Sequence, residues 1–335
     1  MGLRYYLRVL NNMSVKRISS AVNTVHSKSG KAKILTALDM MGCAAKYGAG
    51  PSDYVLFEYY NMNAKERKTY LGRIKSKKLI SRLNDSEYSV YFDKKSEFAK
   101  KFKKFLGREV LDINSASLDE FKSFIKDKQY FLAKPDSGEC GHGIEKIDKT
   151  KFADEKSVYD YLKSKKFGVC EEIIKQHEEL AKLHADSLNC IRVTTLLKDG
   201  KVHILYGVLK MGSDGGYVDN LDGGGIACHV DMDTGKVISY GHLGDYSSVK
   251  KHPCTGVEIR GTKIPYFDEI KSMVKEAALV VPQIRYIGWD VCVTPNGPAI
   301  VEGNDYPGYD LPQIPDENLQ RIGLIPKFKK IGVTV

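Results

Sequence analysis

One hairpin near the end of the chain constrains the fold more than any other feature of the sequence. Two runs rich in apolar and β-branched residues, 284–294 and 298–304, flank the turn sequence Pro-Asn-Gly, and this pattern predicts two antiparallel strands. If the turn is centred on Asn296, Asp290 lies directly opposite Glu302. Their side chains are then about 5 Å apart on one face of the hairpin.

The same face carries a third oxygen-bearing side chain, Asn304, because side chains alternate along a strand and Asn304 is two residues beyond Glu302. Two carboxylates side by side repel each other, so a strand pair normally avoids them. A hard divalent cation removes that cost and prefers oxygen ligands. The sequence therefore predicts a Mg²⁺ or Mn²⁺ site at Asp290, Glu302 and Asn304. The alternative is a solvated strand face, against which the neighbouring Trp289 argues.

From about residue 93 the chain alternates helices and strands. The capping box of Ser117 and Glu120 predicts the start of one helix, and residues 264–281 contain another. This mixture is typical of an α+β protein with antiparallel sheets. The predicted strands are 130–134, 143–147, 168–172, 190–197, 201–211, 226–231, 236–240, 284–294 and 298–304.

A glycine-spaced segment follows the first of these strands. Lys134 ends the strand, and Gly138, Gly141 and Gly143 follow it. Backbone N–H groups near glycines can form a nest for phosphate oxygens, and a lysine supplies positive charge. The segment lacks the G-x-x-x-x-G-K-[ST] pattern and leads into a strand instead of a helix, which excludes a P-loop and a Rossmann turn. A plain glycine hairpin is the alternative.

The predicted strand at 168–172 ends in two acidic residues. Glu171 and Glu172 precede Ile174 and Gln176. A strand edge of this kind can pair its backbone with an adenine while a carboxylate accepts from the exocyclic amine or a ribose hydroxyl. A pair of glutamates at the surface is the alternative.

The basic residues are concentrated in the first third of the chain. The formal net charge is +10, and residues 62–104 alone carry fourteen Lys and Arg against five Asp and Glu, a net of +9. We expect residues 1–92 to form a basic, mainly helical region and residues 93–335 to form a second domain. Such a region is either a solvated face of the protein or a surface attracted to anionic lipid or to an anionic substrate.

The first twelve residues have the pattern of a basic amphipathic helix. Leu3, Leu7 and Leu10 recur on one face, with Arg4 and Arg8 off it. Such a helix either packs on its own domain or lies on a membrane surface. Nucleic acid is not an expected partner, because no zinc-finger, RNP or zipper pattern is present.

The seven cysteines indicate the compartment. Their number is odd and no C-x-x-C occurs, so a disulfide framework and a zinc site are not expected and a reducing cytoplasm is favoured. No secretory signal opens the sequence, and no apolar run is long enough for a transmembrane helix. The sequence thus predicts a cytoplasmic protein, with peripheral association at the inner membrane face as an open alternative.

Taken in order, these motifs resemble those of the ATP-grasp superfamily. That superfamily has a Lys-Pro strand with a glycine-rich lid, a hinge of the Glu-Glu-x-Ile kind, and a late hairpin with Asp and then Glu-x-Asn. More narrowly, the chain is similar to the sugar-transfer-associated ATP-grasp family over residues 90–335, and loosely over 45–90. Cys190 and Cys292 depart from the family pattern, where Thr or Ala is expected. The segments that carry the narrower resemblance are Asn189-Cys-Ile-Arg192-Val-Thr, Val218-Asp-Asn-Leu-Asp-Gly-Gly-Gly-Ile226, Ile287-Gly-Trp-Asp-Val-Cys-Val-Thr, and Asp93-Lys94 before a basic helix that ends in Gly107-Arg108.

This resemblance implies an ATP-grasp fold, in which two α+β subdomains hold ATP. Here they would be a small lid subdomain over about 93–172 and a core over about 173–335. Lys134, Arg192 and Lys94 would neutralise the triphosphate together with Mg²⁺, and the segment 136–142 would close as a lid and exclude water. No cysteine is expected to act as a nucleophile. The remaining implied contacts are Glu171, Glu172 and Ile174 with adenine, Gln176 and either Glu178 or Glu179 with ribose, and Lys210, Asp219, Asn220 and the turn at 223–225 with the acceptor substrate.

The resemblance also implies a reaction. An ATP-grasp ligase activates a carboxylate as an acyl phosphate, and an amine then displaces phosphate; in this family the setting would be surface polysaccharide or glycan assembly, with a uronic acid as one candidate carboxylate. An ATP-grasp kinase that phosphorylates a hydroxyl would use the same ATP site. A nucleotide-sensing scaffold for a membrane glycosyltransferase is a third hypothesis, against which the complete set of Asp290, Glu302 and Asn304 argues.

Overall fold

A computed structural model describes residues 15–138, 142–213 and 221–335 of the chain. The amphipathic pattern of residues 1–12 therefore lies outside the described residues, as do Gly141, Asp219 and Asn220. In the described part, the α-helices are α1 (Val15–Ser29), α2 (Lys33–Tyr47), α3 (Pro51–Leu56), α4 (Ala64–Arg67), α5 (Arg73–Leu83), α6 (Val90–Asp93), α7 (Lys95–Lys101), α8 (Leu118–Ile125), α9 (Glu155–Ser164), α10 (Glu178–Ala181), α11 (Phe267–Ala277) and α12 (Ile325–Lys330).

The strands form two sheets. The first contains four strands in the order β1-β4-β2-β3, and the second contains seven strands in the order β11-β10-β5-β6-β7-β8-β9. Every pairing in both sheets is antiparallel. The strands are β1 (Val110–Asp112), β2 (Tyr130–Lys134), β3 (Glu145–Asp148), β4 (Val169–Glu171), β5 (Cys190–Lys198), β6 (Lys201–Met211), β7 (Ile226–Val230), β8 (Gly241–Leu243), β9 (Ser248–Val249), β10 (Tyr286–Thr294) and β11 (Gly297–Asn304).

The chain divides into two units at a place that differs from the expected boundary. The first unit is Met1–Leu83 together with Gly308–Val335, and the second is Asn84–Pro307. The sequence predicts a boundary after residue 92 and one further domain over residues 93–335. The return of the C-terminal segment to the first unit is a tertiary feature: Tyr309 donates a hydrogen bond to Asp53 at 2.7 Å, and Gln313 bonds both backbone groups of Leu71 at 2.8 and 3.0 Å.

The first unit is helical and has an aromatic core that includes Tyr47, Tyr54, Phe57, Tyr59 and Tyr70. A polar cluster lies within it, in which Arg67 donates two hydrogen bonds of 2.7 Å to Asp39. Burial alone would raise the pKa of that carboxyl, but the bonds from Arg67 and Tyr54 outweigh it and lower the pKa. No helix of the described residues has both the length and the apolar character needed to cross a bilayer.

The second unit contains both sheets, each with its own core. Phe121 of α8 and Phe131 of β2 pack edge to face beneath the four-stranded sheet. The predicted capping box starts α8, since the Ser117 hydroxyl accepts from the backbone N–H of Glu120 and the Glu120 carboxylate accepts from that of Ser117. Trp289 is fully buried in the larger core, where its indole N–H donates to the Thr195 hydroxyl at 2.9 Å.

One predicted strand is wrong. Residues 236–240 make only single bridges, between Val230 and Val237 and between Lys236 and Lys263. Backbone hydrogen bonds close the Asp231–Gly235 turn. The segment after the turn bridges to Val230 on one side and to Lys263 on the other, and it forms a continuous ladder with neither. The chain then pairs regularly at β8 instead.

Candidate active site

The β10–β11 hairpin brings Asp290 and Glu302 opposite each other, as the sequence predicts. The turn and the strand register that produce this pairing differ from those expected. The turn is one residue tighter, because Thr294 pairs with Gly297, and the register then shifts by one residue between Asp290 and Val291. A β-bulge at Val301 accounts for the shift, and without it Glu302 would fall on the other face.

Asp290 is buried among cations. Arg192 lies directly opposite it on β5 and grips it with two guanidinium nitrogens, one of them 2.7 Å from Oδ2. Lys210 of β6 adds a third bond at 3.2 Å. Burial would raise the pKa of Asp290, but the charges of Arg192 and Lys210 outweigh burial and hold it well below its usual range. Asp290 is therefore a carboxylate at neutral pH.

Glu302 behaves differently although it lies beside Asp290. Its side chain is reached by solvent, yet protein displaces most of the water around it. Its pKa is raised, first by this loss of hydration and then by the negative charge of Asp290. The pair thus consists of one carboxylate satisfied by Arg192 and Lys210 and a second, open one that repels it.

The donor set fits a hard divalent cation. Glu302 offers an accessible carboxylate whose repulsion by Asp290 a cation would relieve. Asn304 uses its amide nitrogen on the Gly288 carbonyl at 3.4 Å, which leaves its amide oxygen for other contacts. No group of three or more His, Cys, Asp or Glu side chains in the described residues is arranged to hold a metal. A cation here would therefore be held by Glu302, by Asn304 and by oxygens of a bound substrate. Asp290 could contribute only while it also bonds Arg192 and Lys210.

A second buried carboxylate, Glu171 at the end of β4, is also held between two cations. Lys134 of β2 lies 2.8 Å from it, and the Arg108 guanidinium contacts the same oxygen at 2.8 Å. Burial would raise the pKa of Glu171, but the charges of Arg108 and Lys134 lower it to about 2. This cluster carries two positive charges against one negative charge, so it retains a net charge of +1.

Arg108 joins this cluster to the bulge, and the sequence analysis did not assign it a role. Its guanidinium also donates to the carbonyls of Ile300 and Val301 at 2.9 and 3.1 Å, the residues at which the ladder is interrupted. Gly107 brings it there: its φ is +59°, and a Cβ at this position would lie 2.7 Å from that of Ala299. The sequence signal was the Gly107-Arg108 dipeptide, whose importance depends on a partner almost 200 positions away.

Lys95 lies at the site, next to the predicted Lys94. Its ammonium donates to the Gly138 carbonyl at 2.9 Å. Loss of hydration and the charge of Lys134 lower its pKa, while Glu302 and Glu171 oppose that change. Arg108 contacts both Glu171 and the carbonyl of Val301, the residue before Glu302, so the two clusters lie next to each other. Lys94 is exposed and forms the N-cap of α7.

The glycine segment begins and ends with the backbone geometry that glycine permits. Gly138 has φ +133° and Gly143 has φ +76°, on either side of residues 139–141. The base of the segment is fixed, because Asp136 accepts from the backbone N–H groups of Lys95 and Ser96, both at 2.8 Å. The lid role of 136–142 stays a prediction.

The combination of a Lys-Pro strand, a glycine segment, a Glu-Glu hinge and an acidic late hairpin is matched by a family model. The model describes the sugar-transfer associated ATP-grasp proteins and matches residues 74–332. The chain belongs to this family. The α+β fold with antiparallel sheets and the helical N-terminal region that the sequence predicts are confirmed, and so is the resemblance from which the ATP-grasp prediction came. Enzymes of the ATP-grasp superfamily use ATP and Mg²⁺.

Solved structures similar to this chain include several ligases. The ATP-grasp ligase PsnB, complexed with a minimal precursor, is 14% identical over 73% of this chain and 64% of its own, with a TM-score of 0.42. N5-carboxyaminoimidazole synthetase from Staphylococcus aureus is 11% identical over 65% of this chain and 46% of its own, with a TM-score of 0.39. An L-amino acid ligase from Bacillus licheniformis is 13% identical over 64% of this chain and 40% of its own, with a TM-score of 0.35. The chain thus spans less than two thirds of these proteins, and no curated protein matches it significantly in sequence.

The three residues predicted for the ATP-grasp hinge, Glu171, Glu172 and Ile174, have different surroundings. Ile174 packs on the apolar cluster of Cys190, Cys292 and Ala299, beside the site. Glu172 turns away, and its carboxylate accepts from the backbone N–H of Glu109 at 3.1 Å. In Glu171 the side chain is used by the ion pairs described above, so an adenine contact there would come from the backbone.

Gln176 and Glu179 have other partners. Both ends of the Gln176 amide are used: its nitrogen donates to the His184 and Ser187 carbonyls, and its oxygen accepts from the backbone of Asn189 at 3.0 Å. Glu179 is exposed, pairs with Lys182 at 2.5 Å and lines a surface groove of about 820 Å³ that contains none of the residues of the two ion-pair clusters. Their ribose contacts stay predictions.

The predicted acceptor side of the ATP-grasp site begins where β6 ends. Lys210 is buried against Asp290. Two residues on, the Gly212 N–H donates to the Ser187 hydroxyl at 2.9 Å, and the ring of His252 contacts the Gly212 carbonyl at 2.7 Å. The Ser213 hydroxyl then donates to the carbonyl of Gly224. These bonds hold Gly212, Ser213 and Gly224 in place, while the predicted acceptor residues Asp219 and Asn220 lie outside the described residues.

The cysteines of the site have no catalytic activation. Burial raises the pKa of Cys292 to about 11 and that of Cys170 to about 12. Both thiols therefore stay protonated at neutral pH. The expectation that no cysteine acts as a nucleophile stays a prediction.

Proposed function

We propose that this protein is an ATP-dependent carboxylate–amine ligase that acts through an acyl phosphate. The observation that supports the proposal is a pair of buried carboxylates held by cations, Glu171 with Lys134 and Arg108 and Asp290 with Arg192 and Lys210, together with the open carboxylate of Glu302 opposite Asp290, in a member of an ATP-grasp family. Such an arrangement suits a triphosphate, whose transfer depends on positioning and on charge neutralisation more than on a covalent nucleophile.

The two clusters have distinct tasks in this proposal. The cluster of Glu171, Lys134 and Arg108 has a surplus positive charge, which suits phosphate oxygens that carry no metal. The cluster of Asp290 and Glu302 supplies negative charge and oxygen ligands. A Mg²⁺ ion bound there would neutralise charge on the phosphates. Arg192 and Lys210, held by Asp290, face the same space and would orient the acceptor carboxylate.

The reaction balances in two displacements. An oxygen of the substrate carboxylate attacks the γ-phosphorus of ATP, the bond to the bridging oxygen breaks, and ADP leaves. The amine nitrogen then attacks the acyl carbon, inorganic phosphate leaves, and the nitrogen loses a proton. An acyl phosphate hydrolyses in water, so the glycine segment 136–142 would have to exclude water while the intermediate exists.

The family description supports the substrate class that we propose. Its association with sugar transfer supports a carboxylate on a sugar, such as a uronic acid, and an amine or amino acid as the second substrate. The setting that we propose is the modification of a surface polysaccharide or a related glycan.

Hydroxylamine trapping tests the proposal. The protein is incubated with Mg-ATP, hydroxylamine and a panel of carboxylates that includes uronic acids, and hydroxamates are detected by mass spectrometry. We expect a hydroxamate with one carboxylate class, together with stoichiometric ADP. The matched control omits ATP, and it should give no hydroxamate.

The same experiment distinguishes the competing functions. A phosphate monoester without hydroxamate would identify a kinase that uses the same ATP site. Tight nucleotide binding without ADP release, over a broad panel of carboxylates and hydroxyls, would favour a nucleotide-binding scaffold. Either result would overturn the ligase proposal.

A further inference from the structure

Helix α2 is apolar on two opposite faces. Its inner face packs Met40, Cys43, Ala44 and Tyr47 into the core of the first unit, each less than 10% exposed. Its outer face exposes a stripe of four apolar residues. These are Ile34 (77% exposed), Leu35 (67%), Leu38 (61%) and Met41 (36%). We name these four residues the α2 stripe.

The α2 stripe is unusual for a soluble surface. A single exposed leucine needs no explanation, but a helix that is apolar all round normally has both faces covered. The spacing of the four residues is i, i+1, i+4 and i+7, so they form one continuous strip along the helix. Contiguous exposed apolar surface of this kind marks an interaction site.

The charge around the stripe indicates what covers it. The first acidic residue of the chain is Asp39, and the preceding 38 residues carry seven Lys and Arg. At the average content of 42 acidic residues in 335, about five acids would be expected in such a stretch. Lys33 and Lys46 are exposed near the two ends of α2, and Lys16 and Arg17 are exposed on α1, which packs in the same core.

We propose that the α2 stripe is the membrane-facing surface of the protein and that its partner is an anionic lipid bilayer. A helix that combines an apolar strip with flanking cations lies in the interface plane, with the strip among the acyl chains and the cations at the headgroups. A second copy of the chain is disfavoured as the partner, because two α2 faces would bring like charges together. This proposal is independent of the ligase proposal and rests on different residues.

The position of the proposed contact differs from that suggested by the sequence. The amphipathic pattern of residues 1–12 raised the possibility of a membrane contact, whereas the α2 stripe is carried by described residues that the sequence analysis did not single out. The two assignments make different predictions for deletion and substitution, so one experiment can separate them.

The test is co-sedimentation of the full chain with vesicles of phosphatidylglycerol and phosphatidylcholine against vesicles of phosphatidylcholine alone. We expect binding to the anionic vesicles only. Raising the salt from about 0.1 M to about 1 M should weaken it strongly, because the Debye length falls from about 10 to about 3 Å. The double substitution Leu35→Gln and Leu38→Gln should lower the partition coefficient about tenfold or more.

Matched controls keep the test specific. Leu279→Gln and Ile322→Gln remove apolar side chains elsewhere that are also more than half exposed, at 52% and 53%, and should leave vesicle binding unchanged. Glutamine has a good helix propensity, so the α2 variants should keep the thermal unfolding midpoint of the wild type, which circular dichroism verifies.

Four outcomes would overturn the proposal. The first is equal binding to anionic and neutral vesicles at low salt, and the second is unchanged binding by the α2 double variant. The third is loss of binding only when residues 1–14 are deleted. The fourth is a dimer in sedimentation velocity without vesicles that the double variant converts to a monomer, which would assign the stripe to a second copy.

Discussion

The two carboxylate clusters of the candidate site are built alike but are left in different states. Glu171 and Asp290 are each buried at a strand position and gripped by two cations, Lys134 with Arg108 and Arg192 with Lys210. The first cluster consists of Glu171, Lys134 and Arg108, so its net charge is +1. In the second cluster a further carboxylate, Glu302, follows on the next strand and its pKa is raised.

The two clusters therefore differ in charge balance: the carboxylate of the first is fully paired with cations, whereas the second contains an additional carboxylate. Glu171 has its compensating charges within the protein, since it forms ion pairs with Lys134 and Arg108. The charges of Arg192 and Lys210 also act on Glu302, but they do not outweigh its loss of hydration and the charge of Asp290, so its pKa stays raised. In the proposed function a cation would supply the remaining positive charge. The bulge at Val301 produces the difference, because it sets Glu302 opposite Asp290.

The sharpest test of the comparison is the removal of the open carboxylate. Glu302→Ala should lower Mg²⁺-dependent ADP formation about a thousand-fold, since it removes the residue that we propose as the main anionic ligand while the buried cluster remains. Stability should not fall, because the substitution removes a carboxylate that loss of hydration and the charge of Asp290 both disfavour. The matched control is Glu258→Ala, an exposed glutamate paired only with Lys251. Near-wild-type ADP formation by Glu302→Ala would show that the second cluster is as complete as the first.

A substitution in the cluster of Glu171, Lys134 and Arg108 should lower the stability of the protein. Glu171→Gln removes the negative charge between Lys134 and Arg108 and leaves two buried cations facing each other, at a cost of about 3 kcal/mol in the free energy of unfolding. Glu172→Gln, at the neighbouring position with one backbone hydrogen bond, should cost about 1 kcal/mol or less. Urea unfolding at neutral pH measures both. Equal effects of the two variants would argue that the Glu171 cluster has no special structural role.

The lowered pKa of Glu171 also predicts that the free energy of unfolding depends on pH. The pKa of Glu171 is about 2 in the folded protein and 4.5 as the reference value, so the stability that it contributes is complete above about pH 4.5. That contribution is lost as the pH falls through about 2, because the unfolded chain binds the proton first. Between about pH 4.5 and 3 the wild type should therefore lose about 2 kcal/mol more than Glu171→Gln. Parallel pH profiles of unfolding for the two proteins would contradict the lowered pKa.

The smallest expected effect concerns the lysine between the clusters. Lys95→Met should weaken Mg-ATP binding about tenfold, because its ammonium interacts with both Glu302 and Glu171. Lys94→Met should have little effect, since Lys94 is exposed at the N-cap of α7. Nucleotide titration calorimetry measures both variants. A larger effect of Lys94→Met would support the prediction made from the sequence, in which Lys94 contacts the triphosphate.

Much of the second unit could be predicted from the sequence because its signals are local. Strands β2 and β6 have the predicted bounds, and the capping box at Ser117 starts α8 as expected. The pairing of Asp290 with Glu302 was also predicted, although through a wider turn than the real one. Turn residues, caps and alternation act over a few residues, so they can be seen without a structure.

The residues that were missed depend on partners far along the chain. Arg108 acts on carbonyls of β11, and Lys95 was passed over for Lys94 because the two are neighbours in a run of lysines with no local signal to separate them. Gln176 looks like a ligand residue in the sequence, but its hydrogen bonds are used at Asn189 and neighbouring carbonyls. Such assignments need the positions of atoms that no spacing rule supplies.

By itself the sequence determined the family, the α+β class and the set of residue types at the site, since motif order and strand alternation are written in neighbouring positions. The tertiary structure alone decided which charges are compensated. It placed Arg192 and Lys210 on Asp290, Lys134 and Arg108 on Glu171, and a bulge that left Glu302 open. The physical reason is that the pKa of a carboxylate depends on the few ångströms around it, and those neighbours come from strands that are distant in the chain.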